Sequence, residues 1–108
     1  MKASNARNVV TVAMSEFGRN AFENGSKGTD HGHGGLMLAM GSSINGGQVL
    51  TDWPGLSAKD LFEEQDLQIT IDYRDILTEI LTRRMGNTDF RKVFQDSGYT
   101  PKTHGVVI

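Results

Sequence analysis

The sequence predicts an α/β domain built on a mostly parallel sheet, with a glycine-rich loop and one long amphipathic helix. Three observations predict it. Val9 to Met14 is a nearly continuous β-branched and apolar run, the pattern of a strand covered on both faces, as parallel strands are. Tyr73, Ile76, Leu77, Ile80, Leu81 and Met85 recur at helical spacing and form one apolar stripe. Between the two, six glycines fall from Gly18 to Gly35, enough for the backbone to turn sharply and to approach a ligand closely.

Taken in order, Met1-Lys2-Ala3-Ser4-Asn5-Ala6 reads as a leader with the Ser-Asn-Ala scar of tag removal, and is set apart from the fold. Residues 7–108 read as a single domain, a fragment of a larger α/β domain, because they open almost directly on a buried-type strand. Ser15 to Gly18 is then the turn at the carboxyl end of that strand, where open α/β sheets place their ligands. Arg19 to Thr29 is polar, carries the turn signal Asn24-Gly25 and reads as a long loop. Leu36 to Met40 is a second apolar run. Asn45-Gly46-Gly47, between that run and Gln48-Val49-Leu50-Thr51, suggests a hairpin or tight reversal. Asp52 to Leu56 is a turn, with Trp53 expected to pack on the loop beside it.

Ser57 caps a short helical piece through Phe62, and Leu67 to Ile71 alternates as a short half-buried strand or extended segment does. Asp72 is placed as the N-cap of the long helix, Asp75 in its first turn and Gly86 as its C-terminal cap. Asn87 or Thr88 opens another short helix carrying Phe90, Val93 and Phe94, ending near Gly98. The tail to Ile108 is too apolar at its end to be plainly disordered, and is expected to dock on the sheet.

Composition narrows the function classes. At 108 residues the chain is one domain at most, with a modest core. A net charge of −2 gives no electrostatic reason to expect nucleic acid. The one basic pair, Arg83-Arg84, falls at a helix end, where cations suit the helix dipole. No apolar run is long enough to span a bilayer. The absence of cysteine excludes disulfides, thiolate nucleophiles and cysteine-ligated zinc.

The chemically versatile residues gather around Gly28-Thr29-Asp30-His31-Gly32-His33-Gly34-Gly35, with Glu16 and Arg19 shortly before. A carboxylate followed directly by an imidazole supplies a hard oxygen and a borderline nitrogen, a pairing suited to zinc or manganese. A plainer reading stands beside it. An Asp in a glycine-rich loop is often a turn former, and loop histidines are often solvated or satisfied by a backbone carbonyl. Gly-x-Ser-x-Gly, the phosphate-loop pattern, Gly-x-Gly-x-x-Gly after a strand and His-Glu-x-x-His are all missing. Metal-assisted chemistry is what remains.

Several separated segments then carry a resemblance: VVTVAMSEFGRN, ENGSKGTDHGHGG, LMLAMGSSINGGQVLTDWPGL, DLQITIDYRDILTEILTRRMG and VFQDSGYTPKTHGVV. In this order they resemble the C-terminal part of a bacterial family of uncharacterised, sulfatase-like proteins in the alkaline phosphatase superfamily. The resemblance runs from about Val9 to the C-terminus. It implies that the chain is the C-terminal part of a doubly wound α/β/α sandwich with metals at the carboxyl ends of the strands. Two divalent ions would clamp the attacking and leaving oxygens in cleavage of a small phosphate or sulfate ester. Full-length relatives are several times longer and commonly carry a twin-arginine export signal, which implies the periplasm or cell envelope.

On this resemblance, Asp30 and His31 match the family's Asp-His element and are the foremost metal ligands. His33 falls where some phosphatases keep a histidine that orients a ligand. Glu16, at a strand end, is either a ligand or a structural carboxylate, and is Glu where Asp is usual. Arg19 either faces an anionic substrate or pairs with Glu16. Asp52 and His104 are expected in solvated or capping roles. The superfamily's nucleophile and its first metal-binding Asp come from an N-terminal portion that this sequence does not contain. The chain is therefore expected to hold part of a two-metal site and to show no appreciable esterase activity by itself. The competing reading is a non-catalytic, envelope-associated binding module in which Asp30 and His31 only structure the loop. A truncated sheet edge would also invite pairing with another copy of the chain.

Overall fold

The apolar runs do become strands, but they pair differently from the sequence expectation. In the computed structural model, which describes residues 7–108, β1 (Val10–Met14) pairs with β4 (Met37–Gly41). The short strands β2 (Gly18–Arg19) and β3 (His31–Gly32) make a second two-stranded sheet. A Cβ built on Gly41 would lie 2.7 Å from the carbonyl oxygen of Val9, so the end of β4 lies beside the start of β1 and the pair is antiparallel. β2 and β3 are antiparallel too, with Gly18 opposite Gly32 and Arg19 opposite His31. The tag-like residues 1–6 lie outside the described residues.

The expected α/β/α sandwich with a mostly parallel sheet is therefore corrected: among the described residues both sheets are antiparallel and two-stranded. The physical reason lies in the connections. Parallel pairing needs a crossover of a dozen or more residues, usually a helix, and the segment between β1 and β4 contains only β2, β3 and glycine-bearing loop. Nor is β1 covered on both faces, since Val12 is half-buried while Thr11, Ala13 and Met14 are exposed. Its β-branched composition reported strand propensity, not the depth of burial.

The chain divides into two compact units. One comprises Ala39–Leu50 and Asp72–Ile108 with the described residues up to Val12. Its centre is helix α1 (Tyr73–Glu79), which starts where the sequence places it: the Asp72 carboxylate accepts from the Arg74 N–H at 2.9 Å. The helix continues as a π-helical turn over Ile80–Arg84, in which the Met85 N–H donates to the Ile80 carbonyl at 3.2 Å. Gly86, at φ +68°, ends it, and the Asn87 N–H closes back on the Leu81 carbonyl at 2.9 Å. Helix α2 (Phe90–Val93) is a single turn.

The core of this unit is Ile44, Ile76, Ile80, Tyr99, Val106 and Val107. The ends of the expected apolar stripe fall outside it, with Tyr73 51% and Met85 67% exposed, while Asp75, Thr78 and Glu79 are buried. The tail docks, as its composition suggests, but on Ser43–Asn45 instead of on a sheet. Val107 forms an antiparallel bridge with Ile44, the Asn45 N–H donates to Val106 O at 2.7 Å, and the Ile108 N–H donates to Ser43 O at 2.9 Å. Asn45-Gly46-Gly47 makes no hairpin, because Asn45 is taken up by the tail and Gln48–Thr51 forms no strand.

The other unit, Ala13–Leu38 with Thr51–Ile71, has Leu61 as its buried apolar side chain. Backbone proximity holds it instead. A Cβ on Gly18 would overlap the carbonyl of Gly34, and one on Gly34 would lie 2.6 Å from the Leu67 carbonyl oxygen. Only glycine admits such approach. Asp66 bridges Asn20 and Phe62, and the bridging stops there, so Leu67–Ile71 forms no strand. A 3-10 turn at Ala58–Asp60 follows Ser57, whose side chain makes no cap bond. Trp53 is exposed, not packed as the sequence suggests.

Candidate functional site

The β2–β3 ladder sets the candidate site. It places Arg19 directly opposite His31, and residues two apart on an extended strand share a face, so Phe17 joins them. The His31 ring stacks on Phe17 with centroids 3.9 Å apart, and the Arg19 guanidinium lies 5.0 Å from the centroid of the same ring. Arg19 Nη1 also donates to the Thr29 carbonyl at 2.9 Å. Of its two expected roles, pairing with Glu16 is not what the structure shows. Glu16 itself is exposed in the turn after β1.

Asn24 organises the loop that leads to Asp30. Its side-chain oxygen accepts from the Ser26 and Gly28 N–H groups at 2.9 and 3.0 Å, and its Nδ2 donates to Asp30 Oδ1 at 2.9 Å. Asp30 and His31 are both exposed. Among the described residues no group of three or more His, Asp or Glu is arranged to hold a metal ion. Asp30 and His31 thus offer two donors, and Glu16 does not complete them.

His33 goes a different way from His31. Its Nδ1 lies 2.6 Å from Asp66 Oδ2, with the imidazole 59% exposed and the carboxylate 9% exposed. A carboxylate only accepts, so Nδ1 is the donor in this bond. Three neighbours hold Asp66. Gly32 has no Cβ and so leaves room for its Oδ1; the Asn20 amide, turned to donate, reaches Asp66 Oδ1 and, at 3.2 Å, the His31 carbonyl; and the Phe62 N–H donates to the Asp66 carbonyl at 2.8 Å. Phe62 also meets the His33 ring edge-on, 4.9 Å between centroids. Sequence reasoning missed Asp66, because no spacing rule links a residue to a partner 33 positions away.

A second polar cluster lies in the helical unit. His104, expected to be solvated or capping, is 15% exposed, and its Nε2 lies 3.0 Å from Asp75 Oδ2. Asp75 Oδ1 accepts from the Tyr99 hydroxyl at 2.9 Å and the Lys102 N–H at 3.1 Å. Glu79 accepts from the backbone N–H groups of His104, Gly105 and Val107 at 3.0, 3.2 and 3.1 Å. Burial pushes both carboxyls up, but the bonds outweigh it and hold both below the usual carboxylate range: for Asp75 those from His104, Lys102 and Tyr99, for Glu79 those from the backbone. Every oxygen is satisfied, so the cluster is an anchor for the tail. Asp52 is exposed.

Among the described residues no helix is long and apolar enough to cross a membrane. No curated protein and no solved structure matches the chain. A family described as protein of unknown function (DUF1501) matches residues 1–97, nearly the whole length. The chain belongs to this family of unknown function.

Proposed function

We propose that this chain contributes to hydrolysis of a phosphate or sulfate ester, as part of a sulfatase-like protein of the alkaline phosphatase superfamily. In this reading His33 is the proton-transfer group, and Asp30 and His31 are donors to a zinc or manganese ion. The observation that supports it is the 2.6 Å bond between His33 and Asp66. A nearly buried carboxylate accepts from Nδ1–H and fixes the ring, the arrangement that orients an imidazole for proton transfer through its other nitrogen. The same arrangement suits a ligating imidazole.

Among the described residues, the two donors Asp30 and His31 do not complete a metal site. The chain alone is accordingly expected to show no appreciable turnover. Export to the periplasm or envelope, and association of copies along the open edge of the β1–β4 sheet, belong to the same proposal. A second reading, a non-catalytic binding module, has its own support: Asp30 is bonded to Asn24 and His31 is stacked on Phe17, both partners that structure the loop.

Calorimetric titration of zinc and manganese into the chain and its His31→Ala variant separates the two. Binding that disappears in the variant supports the hydrolase reading. Binding to neither protein is expected both of an incomplete donor pair and of the module, so binding lost in the variant is the outcome that discriminates. Turnover of a chromogenic phosphate or sulfate ester by the pure chain, abolished by His31→Ala, would show a complete site and overturn the partial-site statement.

A further inference from the structure

We infer that the ester handled at this site carries an apolar alcohol part, an aromatic ring or branched alkyl group, seated against Phe62, Leu67 and Ile69. The inference rests on the reading of His33 given above and names the substrate class for it. Beside the His33 imidazole lies a pocket of about 290 Å³, lined by His33, Phe62, Leu67, Gln68 and Ile69. That is near the lower end of small-ligand sites and ample for one ring. Among the described residues, its one polar side chain apart from the imidazole is the Gln68 amide.

Three features point to an apolar occupant. Ile69 is 65% exposed and Phe62 39% exposed, so apolar surface stands uncovered directly next to the candidate reacting group. The wall is fixed, because Leu67 lies against Gly34 so closely that a Cβ there would sit 2.7 Å from the Leu67 Cβ. Among the described residues, no Asp, Glu, Lys or Arg side chain lines the pocket. A polyol or sugar-like alcohol would lose water there without gaining enough partners, whereas a ring or alkyl group buries apolar surface at about 25 cal/mol per Å².

The test is an NMR titration of the Leu67 and Ile69 methyl groups with phenylphosphonate, methylphosphonate and benzyl alcohol, with and without zinc. It is run on the chain and on Ile69→Asn, a variant at an exposed position. Phenylphosphonate is expected to bind about tenfold more tightly than methylphosphonate and to shift both methyl groups, an advantage reduced to under about twofold in Ile69→Asn. Equal affinity for the two phosphonates, or an advantage that survives Ile69→Asn, overturns the inference. Benzyl alcohol shifting these methyl groups while neither phosphonate binds overturns the ester-hydrolase reading but leaves the pocket's apolar preference standing. Binding of none of the three overturns both.

Discussion

His104 Nε2 lies 3.0 Å from Asp75 Oδ2, and this bond ties the C-terminal segment to the first turn of helix α1. The His104 backbone N–H meanwhile donates to Glu79 Oε2, one helical turn further along. One residue of the tail is thus gripped at its side chain and its backbone by two carboxylates on the same helix face. Burying a carboxylate is costly unless hydrogen bonds replace its water. Here the tail supplies those bonds, and without the tail neither acid could stay buried.

Removing an acceptor should therefore cost more than an ordinary hydrogen bond. Glu79→Ala leaves three backbone N–H donors without their partner and is expected to destabilise the fold by about 3 kcal/mol. Glu79→Gln keeps one acceptor oxygen and should cost less. Urea denaturation followed by circular dichroism measures both; equal, small losses would mean that the tail is not anchored this way.

The same carboxyls predict a pH dependence. Asp75 and Glu79 have folded-state pKa values below their unfolded ones. Their stabilisation is fully present above about pH 4.5, where the unfolded carboxyls are ionised, and is lost as pH falls through the folded-state values. Stability should thus drop between about pH 4.5 and the onset of acid unfolding. Asp75→Asn is expected to shrink that drop in urea titrations at successive pH values. An unchanged slope would count against the assignment.

Arg74 is held as a planar fork. Its Nη2 and Nε donate to Asp72 at 2.6 and 3.0 Å, Nη1 reaches Asp96 at 3.2 Å, and the guanidinium lies 4.2 Å from the Tyr99 ring centroid. Lysine offers neither the fork nor the flat face. Arg74→Lys is therefore expected to lower stability nearly as much as Arg74→Ala. Thermal denaturation of both variants checks this, and full recovery in the lysine variant would show that charge alone matters.

In the ladder unit, glycines should be irreplaceable where the backbone is closest. Gly34→Ala drives a methyl group to 2.6 Å from the Leu67 carbonyl oxygen, while nothing lies within 4 Å of a Cβ on Gly25. Overpacking of this kind costs roughly 1–3 kcal/mol. Gly34→Ala is expected to lower the melting temperature and to broaden the His31 and His33 resonances; Gly25→Ala should leave both unchanged. Equal behaviour of the two would remove the argument from backbone proximity.

By itself the sequence determined the local events. Asp72 caps a helix because its carboxylate reaches an N–H two residues on, and Gly86 ends that helix because a positive φ is cheap there. The Asn24 turn was legible for the same reason, since it depends on neighbours within a few residues. Only the tertiary structure decided the rest. Strand direction followed from the lack of a crossover helix, which no single apolar run can report. The Asp66 partner of His33 is 33 residues distant, and the His104 partner of Asp75 is 29. Such contacts depend on how the chain returns on itself, so composition and periodicity carry no trace of them.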